Sequence, residues 1–260
     1  MVDIANLPGK RFSAAAASYD RHSELQSRVA RRLLDFIPAG KDYDSILEIG
    51  CGTGIYTKML LERFSGGRVR ALDISARMIE RARKKIDSEN VNWLVENALS
   101  VRLVEPVGLI TGSAVVHWVK PLAQLFNNLF KQLKSGGELI INVMLADTLK
   151  ELHTTRELVA PDKFTAPPLP QLPEVIAAIK NSGFDIEKTK KVELKQNYRS
   201  GFSFLKALNE QGVTAGPAAE LKPLNFSEIK QLASLYDNNF SDNGRVYASY
   251  EVLFLRAKKR

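Results

Sequence analysis

Three glycines recur at alternate positions directly after a short apolar strand predicted at Ser45–Ile49. Gly50, Gly52 and Gly54 permit a tight turn and let a ligand approach the backbone closely. The helix predicted after this turn adds free N–H groups at its first residues. Ile55 stands where a dinucleotide site would place a further glycine, which disfavours a pyrophosphate ligand.

Polar side chains follow the next two predicted strands. Asp73 comes 19 residues after the last of the three glycines. A carboxylate there can accept both hydroxyls of a ribose, with Ile74 packing on an adenine face. The alternative role is a helix N-cap, which Ser75 can supply instead. Asn97, next to Ala98, can accept a hydrogen bond from an adenine amino group, or it can be an ordinary turn asparagine.

Alternating strands and helices must position these residues. The predicted strands are Ser45–Ile49, Arg68–Leu72, Val91–Val95, Val107–Gly112, Glu138–Val143, Phe184–Leu194 and Val246–Leu255. The predicted helices are Arg21–Phe36, Thr53–Phe64, Ala76–Ile86, Leu122–Leu133, Thr148–Val159 and Leu172–Ser182. This order predicts an α/β fold, with a doubly wound, mostly parallel seven-stranded sheet. Such sheets bind ligands beyond the C-terminal ends of their strands.

The chain length favours a single domain. Its 260 residues, 45% of them hydrophobic, can build one sizeable core. We expect an N-terminal helical cap segment over residues 1–40 and a ligand-binding core over residues 41–145. About fifty residues separate the last two strands, too many for a hairpin loop. We therefore expect a helical insertion over residues 196–244, with helices at Phe202–Gln211 and Ser227–Asn239, near the ligand cleft.

Composition limits the partners. The net charge of +8 favours an acidic partner, or else a solvated basic surface. The basic residues are too dispersed for a nucleic-acid arm, and no run of 18 apolar residues predicts a membrane span. The single cysteine excludes an intramolecular disulfide, which makes the cytoplasm the default location. We expect a monomer with no metal, no nucleic-acid partner and no membrane partner.

The glycine turn and the downstream acid together resemble class I S-adenosylmethionine-dependent methyltransferases, over about residues 40–145. The resemblance implies that the glycines line the methionine moiety, Asp73 holds the ribose and Asn97 flanks the adenine. It implies that Glu48 orders the turn or binds the methionine amine, and that Cys51 is a packed small residue rather than a nucleophile. The implied cofactor residues are Glu48, Gly50, Cys51, Gly52, Gly54, Asp73, Ile74, Asn97, Ala98 and Ser113.

Three further segments narrow the resemblance. They are Arg11–Asp20 with Gln26 downstream, Ser113–Trp118 after the fourth strand, and Ser200–Gly212 in the insertion. With the cofactor motif they are similar to the malonyl-[acyl-carrier protein] O-methyltransferases of biotin synthesis, over about residues 10–258. The chain departs from relatives, which often carry Asn where it has Ala114 and Gln where it has His117. It also has Lys-Ala-Leu-Asn from Lys206, where relatives often have Lys-Gly-Ile-Gly.

The resemblance implies methyl transfer to the free carboxylate of a malonyl group. That carboxylate is already ionised at neutral pH, so no general base is needed. Tyr19 is expected to bond the carboxylate or close over the cofactor, unless it is a core tyrosine. His117 is expected to donate to the carboxylate or to cap a strand end. Arg199 is expected to clamp the carboxylate, unless it is solvated. The N-terminal helix and the insertion are candidate lids.

An acidic acyl-carrier protein would give the basic surface a role. Two sets of residues are candidates to steer it: Arg28, Arg31 and Arg32, or Lys195, Arg199 and Lys206. His22 and His153 are expected at the surface without partners. Three alternatives stay open. The first is methylation of another small acid or of a quinone precursor, the latter with His117 as base. The second is cofactor or partner binding without catalysis, and the third is RNA methylation, although the chain has no Asn-Pro-Pro-Tyr motif after the fourth strand.

Overall fold

One mixed sheet organises the part of the chain that the computed structural model describes, residues 7–163, 169–212 and 223–260. Its strands are β1 (Ser45–Ile49), β2 (Arg68–Asp73), β3 (Val91–Val95), β4 (Val107–Gly112), β5 (Leu133–Met144), β6 (Phe184–Tyr198), β7 (Ser241–Asp242) and β8 (Arg245–Lys259). The strand order is β3-β2-β1-β4-β5-β8-β6, and β7 pairs with β8 beside this path. The first five strands are parallel, whereas β8 runs antiparallel to β5 and β6. The predicted doubly wound α/β sheet is confirmed.

Helices cover both faces of the sheet. They are α1 (Leu7–Ala15), α2 (Glu24–Phe36), α3 (Ile55–Arg63), α4 (Ala76–Lys85), α5 (Leu122–Gln132), α6 (Lys150–Val159), α7 (Leu172–Asn181), α8 (Gly201–Glu210) and α9 (Phe226–Asn239). Adjacent residues of β1 serve opposite faces. Ile46 belongs to the apolar cluster that contains Val29 of α2, and Leu47 belongs to the cluster that contains Leu125 of α5. Side chains alternate along a strand, so a strand covered on both faces must be apolar throughout.

The helix after β2 begins where the sequence predicts. Ser75 is its N-cap, and the Ser75 Oγ accepts a hydrogen bond from the backbone N–H of Met78 at 3.2 Å. A capping serine satisfies one of the free N–H groups of the first turn. Asp73, two residues earlier, is therefore not needed as the cap of α4.

The strands on one side of the sheet are longer than predicted. The sequence predicts strands over 138–143, 184–194 and 246–255, whereas β5, β6 and β8 each extend further at one or both ends. The prediction for β6 stops before the polar run that begins at Lys195. That run continues the ladder with β8 as far as Tyr198↔Val246. An edge strand keeps its pairing while alternate side chains face water, so polarity is a poor guide to where it ends.

Smaller differences lie at the N-terminus and in the loops. A 3₁₀ helix at Tyr19–His22 precedes α2, which starts at Glu24 rather than Arg21, and neither α1 nor the two-residue β7 was predicted. Of the predicted loop at 161–173, Pro161–Lys163 form a 3₁₀ turn, while residues 164–168 lie outside the described part.

The predicted insertion is anchored to the sheet by aromatic rings. Tyr198 at the end of β6 lies 4.9 Å, centroid to centroid, from Phe204 of α8, and Phe204 lies 5.0 Å from Tyr236 of α9. Phe204 and Tyr236 are fully buried, so α8 and α9 pack as part of the main core. Within the described residues, no helix combines the length and apolar character that a membrane crossing needs.

Candidate active site

The glycine turn between β1 and α3 is shaped by left-handed backbone. Gly50, Gly52 and Gly54 have φ values of 64°, 54° and 85°. A Cβ on Gly50 would lie 2.2 Å from the Val115 Cγ2, so no side chain fits there. A Cβ on Gly52 would meet no atom within 4 Å, because it would project into open space. The turn therefore offers bare backbone to a ligand at Gly52.

Asp73 holds this turn in place. One carboxylate oxygen accepts the backbone N–H of Gly52 at 2.8 Å, and the other accepts the N–H of Ser75 at 2.8 Å. The side chain is 9% exposed, and burial raises the pKa of its carboxyl group. Each carboxylate oxygen has a second lone pair, so both can still accept a hydroxyl from a ligand.

A cleft of about 860 Å³, open to solvent, lies beside the turn at the C-terminal ends of β1, β2 and β3. We call it the cleft. Its walls include seven of the ten residues that the sequence predicts for the cofactor. They are Gly50, Gly52, Asp73, Ile74, Asn97, Ala98 and Ser113. Gly54 is not in this wall, because it starts α3 and packs against Ala82 and Ile86 instead.

Asn97 combines the two roles that the sequence left open. Its side-chain Oδ1 accepts the backbone N–H of Leu99 at 2.9 Å, which makes it a turn asparagine. It also lines the cleft. One lone pair of Oδ1 is used locally, and the other remains for a ligand donor.

A smaller cavity of about 370 Å³ lies against the turn, which we call the turn cavity. Glu48 lines it, is 1% exposed, and its Oε2 has no hydrogen-bond partner among the described residues. Burial raises the pKa of Glu48 to about 8. Cys51 lines the same cavity, and burial raises the pKa of its thiol well above the ordinary value. The thiol therefore stays protonated, which argues against a nucleophile.

A third space of about 640 Å³ lies beside the cleft, and we call it the aromatic cavity. It shares Phe12, Tyr19, Ala114 and Trp118 with the cleft. The Phe12 ring lies edge-on to Trp118 at 5.3 Å and to Tyr19 at 6.3 Å, centroid to centroid. Its polar lining groups are Tyr19, Gln26, His117, Thr148, Gln211 and Tyr250. Tyr19 lines all three spaces, so they meet at its side chain.

Residues 12–22, which we call the N-terminal strap, are bonded to the cofactor side of the site. The Asp20 carboxylate accepts the Thr53 hydroxyl at 2.5 Å and pairs with the Lys85 Nζ at 2.9 Å. The hydroxyls of Ser13 and Ser75 are 2.7 Å apart. These contacts hold the strap against the glycine turn and α4.

The other side of the N-terminal strap is bonded to the end of α8. The Ser18 hydroxyl donates to the backbone carbonyl of Glu210 at 2.8 Å, and His22 pairs with the Glu210 carboxylate. Gln211 donates to the carbonyl of His22. The expectation that His22 lacks a partner was therefore wrong, because α8 comes from a remote part of the sequence. The same expectation was wrong for His153, which is partly buried and interacts with the backbone of Thr148.

His117 is a buried, neutral imidazole. It is 7% exposed, and its Nδ1 accepts the backbone N–H of Met144 at 3.4 Å. Burial lowers its pKa to about 3. Because Nδ1 is an acceptor and the ring is neutral, the proton resides on Nε2. The ring can donate a hydrogen bond from Nε2 but cannot take up a proton there.

Arg199 does not join the site. Its side chain is exposed, and it lines none of the three spaces. It follows the last residue of β6, where the chain turns outward into α8. The alternative of a solvated arginine fits the structure.

Several residues that shape the site carry no sequence signal. Asn142 of β5 donates to the Ser113 hydroxyl at 3.0 Å and accepts the backbone N–H of Ala114 at 2.8 Å, and so it orders the segment after β4. Tyr250 and Thr148 reach the aromatic cavity from β8 and the loop before α6. Within the described residues, no three His, Cys, Asp or Glu side chains come together as a metal site.

Comparisons with known proteins agree with this geometry. Residues 46–137 match the family model of a methyltransferase domain. A malonyl-[acyl-carrier protein] O-methyltransferase 1 of Ilyobacter polytropus is 29% identical over 253 residues, which cover 96% of this chain and 93% of that relative. The chain is therefore similar, over nearly its whole length, to class I methyltransferases.

Solved structures share the fold of this class. A protein of Bacillus halodurans C-125, assigned as a methyltransferase, superposes with a TM-score of 0.64 at 14% identity, covering 88% of this chain and 98% of that one. The N-methyltransferase NodS of Bradyrhizobium japonicum, solved with S-adenosyl-L-homocysteine, gives a TM-score of 0.53 at 15% identity, covering 88% and 85%. At these identities the likeness concerns the fold alone.

Proposed function

We propose that this methyltransferase transfers the methyl group of S-adenosylmethionine to the free carboxylate of malonyl-acyl-carrier protein. The observation that carries the proposal is the meeting of three spaces at Tyr19. A cofactor-sized cleft and a turn cavity open there onto an aromatic cavity suited to an acyl group. The relative from Ilyobacter polytropus, similar over nearly the whole chain, carries the name of this reaction.

The residues present fit the cofactor. The open space over Gly52 leaves room for its body, and the Asp73 carboxylate has lone pairs for two ribose hydroxyls. The unpartnered Oε2 of Glu48 in the turn cavity suits the ammonium group of the methionine portion. When bound, the cofactor supplies an activated methyl group on sulfur.

The protein's own contribution is positioning and exclusion of water. Burial raises the pKa of Tyr19, with the Asp73 charge as the next cause, so its hydroxyl stays protonated and donates a hydrogen bond. The N-terminal strap, bonded to the glycine turn and to α4, places Tyr19 at the junction and would help to exclude water there when the ligands are bound. Aligning the carboxylate with the methyl group supplies the rate gain, since no proton must move. His117 is neutral and carries its proton on Nε2, which disfavours methylation of a quinone precursor with His117 as the base.

We propose that one basic surface receives the acidic carrier protein. The two candidate sets adjoin, because the Arg28 guanidinium donates to the backbone carbonyl of Lys195 at 3.1 Å. Arg32, four residues along α2, is exposed on the same side. Association steered by such a surface weakens as salt rises. We propose further that the protein acts in the cytoplasm as a monomer, which size-exclusion chromatography would test.

The test is a methyl-transfer assay with labelled S-adenosylmethionine and malonyl-carrier protein, malonyl-CoA and free malonate as acceptors. We expect the carrier-bound thioester to give the highest kcat/KM. Arg32→Glu should lower kcat/KM for the carrier several-fold. Lys134→Glu, the same change at the opposite end of the sheet, should leave it unchanged. Cofactor binding without transfer to any malonyl acceptor would refute the proposed substrate.

A further inference from the structure

The aromatic cavity contains no charged side chain among the described residues that line it. Its three titratable groups are Tyr19, His117 and Tyr250. Burial raises the pKa of both tyrosines and lowers that of His117, so all three are neutral near pH 7. The described lining residues thus provide hydrogen-bond donors but no fixed cation.

A buried acidic side chain lies behind one wall of the cavity. Glu151 of α6 lies behind this wall, 3% exposed, and its carboxylate accepts the backbone N–H of Ser249 at 3.0 Å. Its charge is one cause of the raised pKa of Tyr250. Tyr250 itself shares a hydrogen bond of 3.1 Å with Tyr198. The wall formed by β8 therefore disfavours an anion.

One donor in the cavity is unused. His117 accepts from Met144 through Nδ1, and its Nε2–H has no partner in the described residues. The ring is more than nine-tenths buried and lines the cavity. The Nε2 atom is not among the fully buried polar atoms that lack a partner, so it is accessible from the cavity and can donate to a ligand oxygen there.

The reaction removes charge from this space. A carboxylate oxygen forms a bond to the methyl carbon as the carbon–sulfur bond breaks, and the electron pair of that bond stays on sulfur. One anion and one sulfonium cation become a neutral ester and a neutral thioether, and no proton moves. A fixed cation beside the carboxylate would stabilise the reactants more than the transition state and would slow the step.

We propose that the aromatic cavity selects its acyl substrate by charge count. It accepts one carboxylate on an otherwise uncharged acyl group, held by the Nε2–H of His117 and balanced by the sulfonium of the cofactor. It rejects an acyl group with a second negative charge, because that charge would be buried without a partner. This inference rests on the proposed function and extends it to a substrate class, the half-thioesters and half-esters of dicarboxylic acids.

The first test compares monoethyl malonate with free malonate as competitors of malonyl-carrier methylation. At pH 7.5, where malonate carries two charges, we expect the monoester to compete at least about 30-fold better. The gap should close towards pH 5, where malonate approaches one charge, while the inhibition constant of the monoester stays constant. Equal competition at pH 7.5, or no competition by either compound, would overturn the charge-count selection. If carrier-bound malonyl is not methylated at all, the proposed function itself has failed.

The second test addresses His117. His117→Gln keeps an N–H donor and should retain KM for malonyl-carrier protein within a few-fold. His117→Phe should raise that KM by about 10- to 100-fold, the usual effect of losing a hydrogen bond to a charged group. His117→Arg should let free malonate compete better than it does in the unchanged protein. Cofactor affinity by calorimetry should be unchanged in all three variants, which shows that each is folded. An unaltered KM in His117→Phe would refute the donor role.

Discussion

The cleft and the aromatic cavity adjoin but are built in different ways. Apart from Gly9, Phe12 and Tyr19 near the N-terminus, the cleft is formed by short segments that follow β1, β2, β3 and β4 within one stretch of about seventy residues. The aromatic cavity takes side chains from residues between Phe12 and Tyr250, almost the whole length of the chain. The first site is fixed by backbone and sheet geometry, whereas the second depends on the packing of remote elements.

Because of this difference, we expect the two sites to tolerate different kinds of substitution. In the cleft the contacts are backbone atoms and a carboxylate that is itself bonded to backbone, as Asp73 is to Gly52. A substitution there changes the main-chain path. In the aromatic cavity the contacts are side chains such as His117 and Tyr250, which can change while the fold stays. We therefore expect the cleft to tolerate few substitutions and the aromatic cavity to tolerate more.

The largest effect should come from Gly52→Ala. The added Cβ would project into the open space over the turn, where the cofactor is proposed to lie. We expect cofactor affinity to fall more than 100-fold, measured by calorimetry. Gly40→Ala is a matched control, because Gly40 also has a positive φ of 73° and open space around its Cβ, but lies outside the cleft. Both variants should lose about 1 kcal/mol of stability from left-handed strain. Equal cofactor affinity in the two would contradict the cradle at Gly52.

A smaller effect is expected from Glu48→Gln. The folded protein keeps a proton on Glu48 up to a pKa of about 8, whereas the ordinary value is 4.5. The unfolded chain loses that proton first, so the contribution to stability is full below pH 4.5 and is lost as pH rises to about 8. A cofactor ammonium would favour the ionised form, so binding at pH 7 should release a proton.

Calorimetry in two buffers of different ionisation heat measures that proton. Glu48→Gln should abolish its release and weaken cofactor binding by about tenfold or more. Urea unfolding should show that the stability of the variant no longer falls across this pH window. Proton release that persists in Glu48→Gln would assign the titration to another group.

A still smaller effect should follow Asp20→Asn in the N-terminal strap. The change removes the ion pair with Lys85 and weakens the bond from Thr53. Because the strap lines both the cleft and the aromatic cavity, KM should rise several-fold for cofactor and acyl substrate together. As a control, Glu80→Gln removes the exposed Lys84–Glu80 pair on α4, the helix that carries Lys85. It should change neither the KM for the cofactor nor the KM for the acyl substrate. A rise confined to one substrate would show that the strap serves one site only.

The smallest effect should be a gain in stability from Ala114→Gly. Ala114 has a φ of 54°, which is strained for alanine, and Asn142 holds its N–H. Relief of the strain, less the entropy cost of glycine, should stabilise the fold by roughly 0.5–1 kcal/mol, or about 1–4 °C in Tm. Ala98→Gly, at a lining residue without a positive φ, should not stabilise. A lower Tm for Ala114→Gly would mean that the alanine methyl contributes packing that outweighs the strain.

The cleft could be predicted from the sequence because its signals are local. β1, β3 and β4 have the predicted bounds, and Ser75 caps α4 as expected. Asp73 ends β2, Asn97 and Ser113 come within two residues of the ends of β3 and β4, and parallel strands end at the same edge of a sheet. The resemblance to a known family then assigned roles that spacing alone leaves open, such as that of Glu48.

The aromatic cavity could not be predicted in the same way. Tyr250 lies in a strand whose apolar pattern shows only that it is paired, and nothing local shows that it reaches a cavity. Arg199 was predicted as a clamp or a solvated arginine from its position near the insertion, and its side chain is exposed where the chain leaves β6. His22 pairs with Glu210 across 188 residues of sequence, a contact that needs the tertiary fold. Long-range packing leaves no periodic signature.

The double attachment of the N-terminal strap has a kinetic consequence. Thr53 and Ser75 hold it on one side, and Glu210 and Gln211 hold it on the other. Release of the demethylated cofactor and of the esterified carrier would therefore both require movement of this one segment. The opening frequency of one short segment would then set the ceiling on kcat.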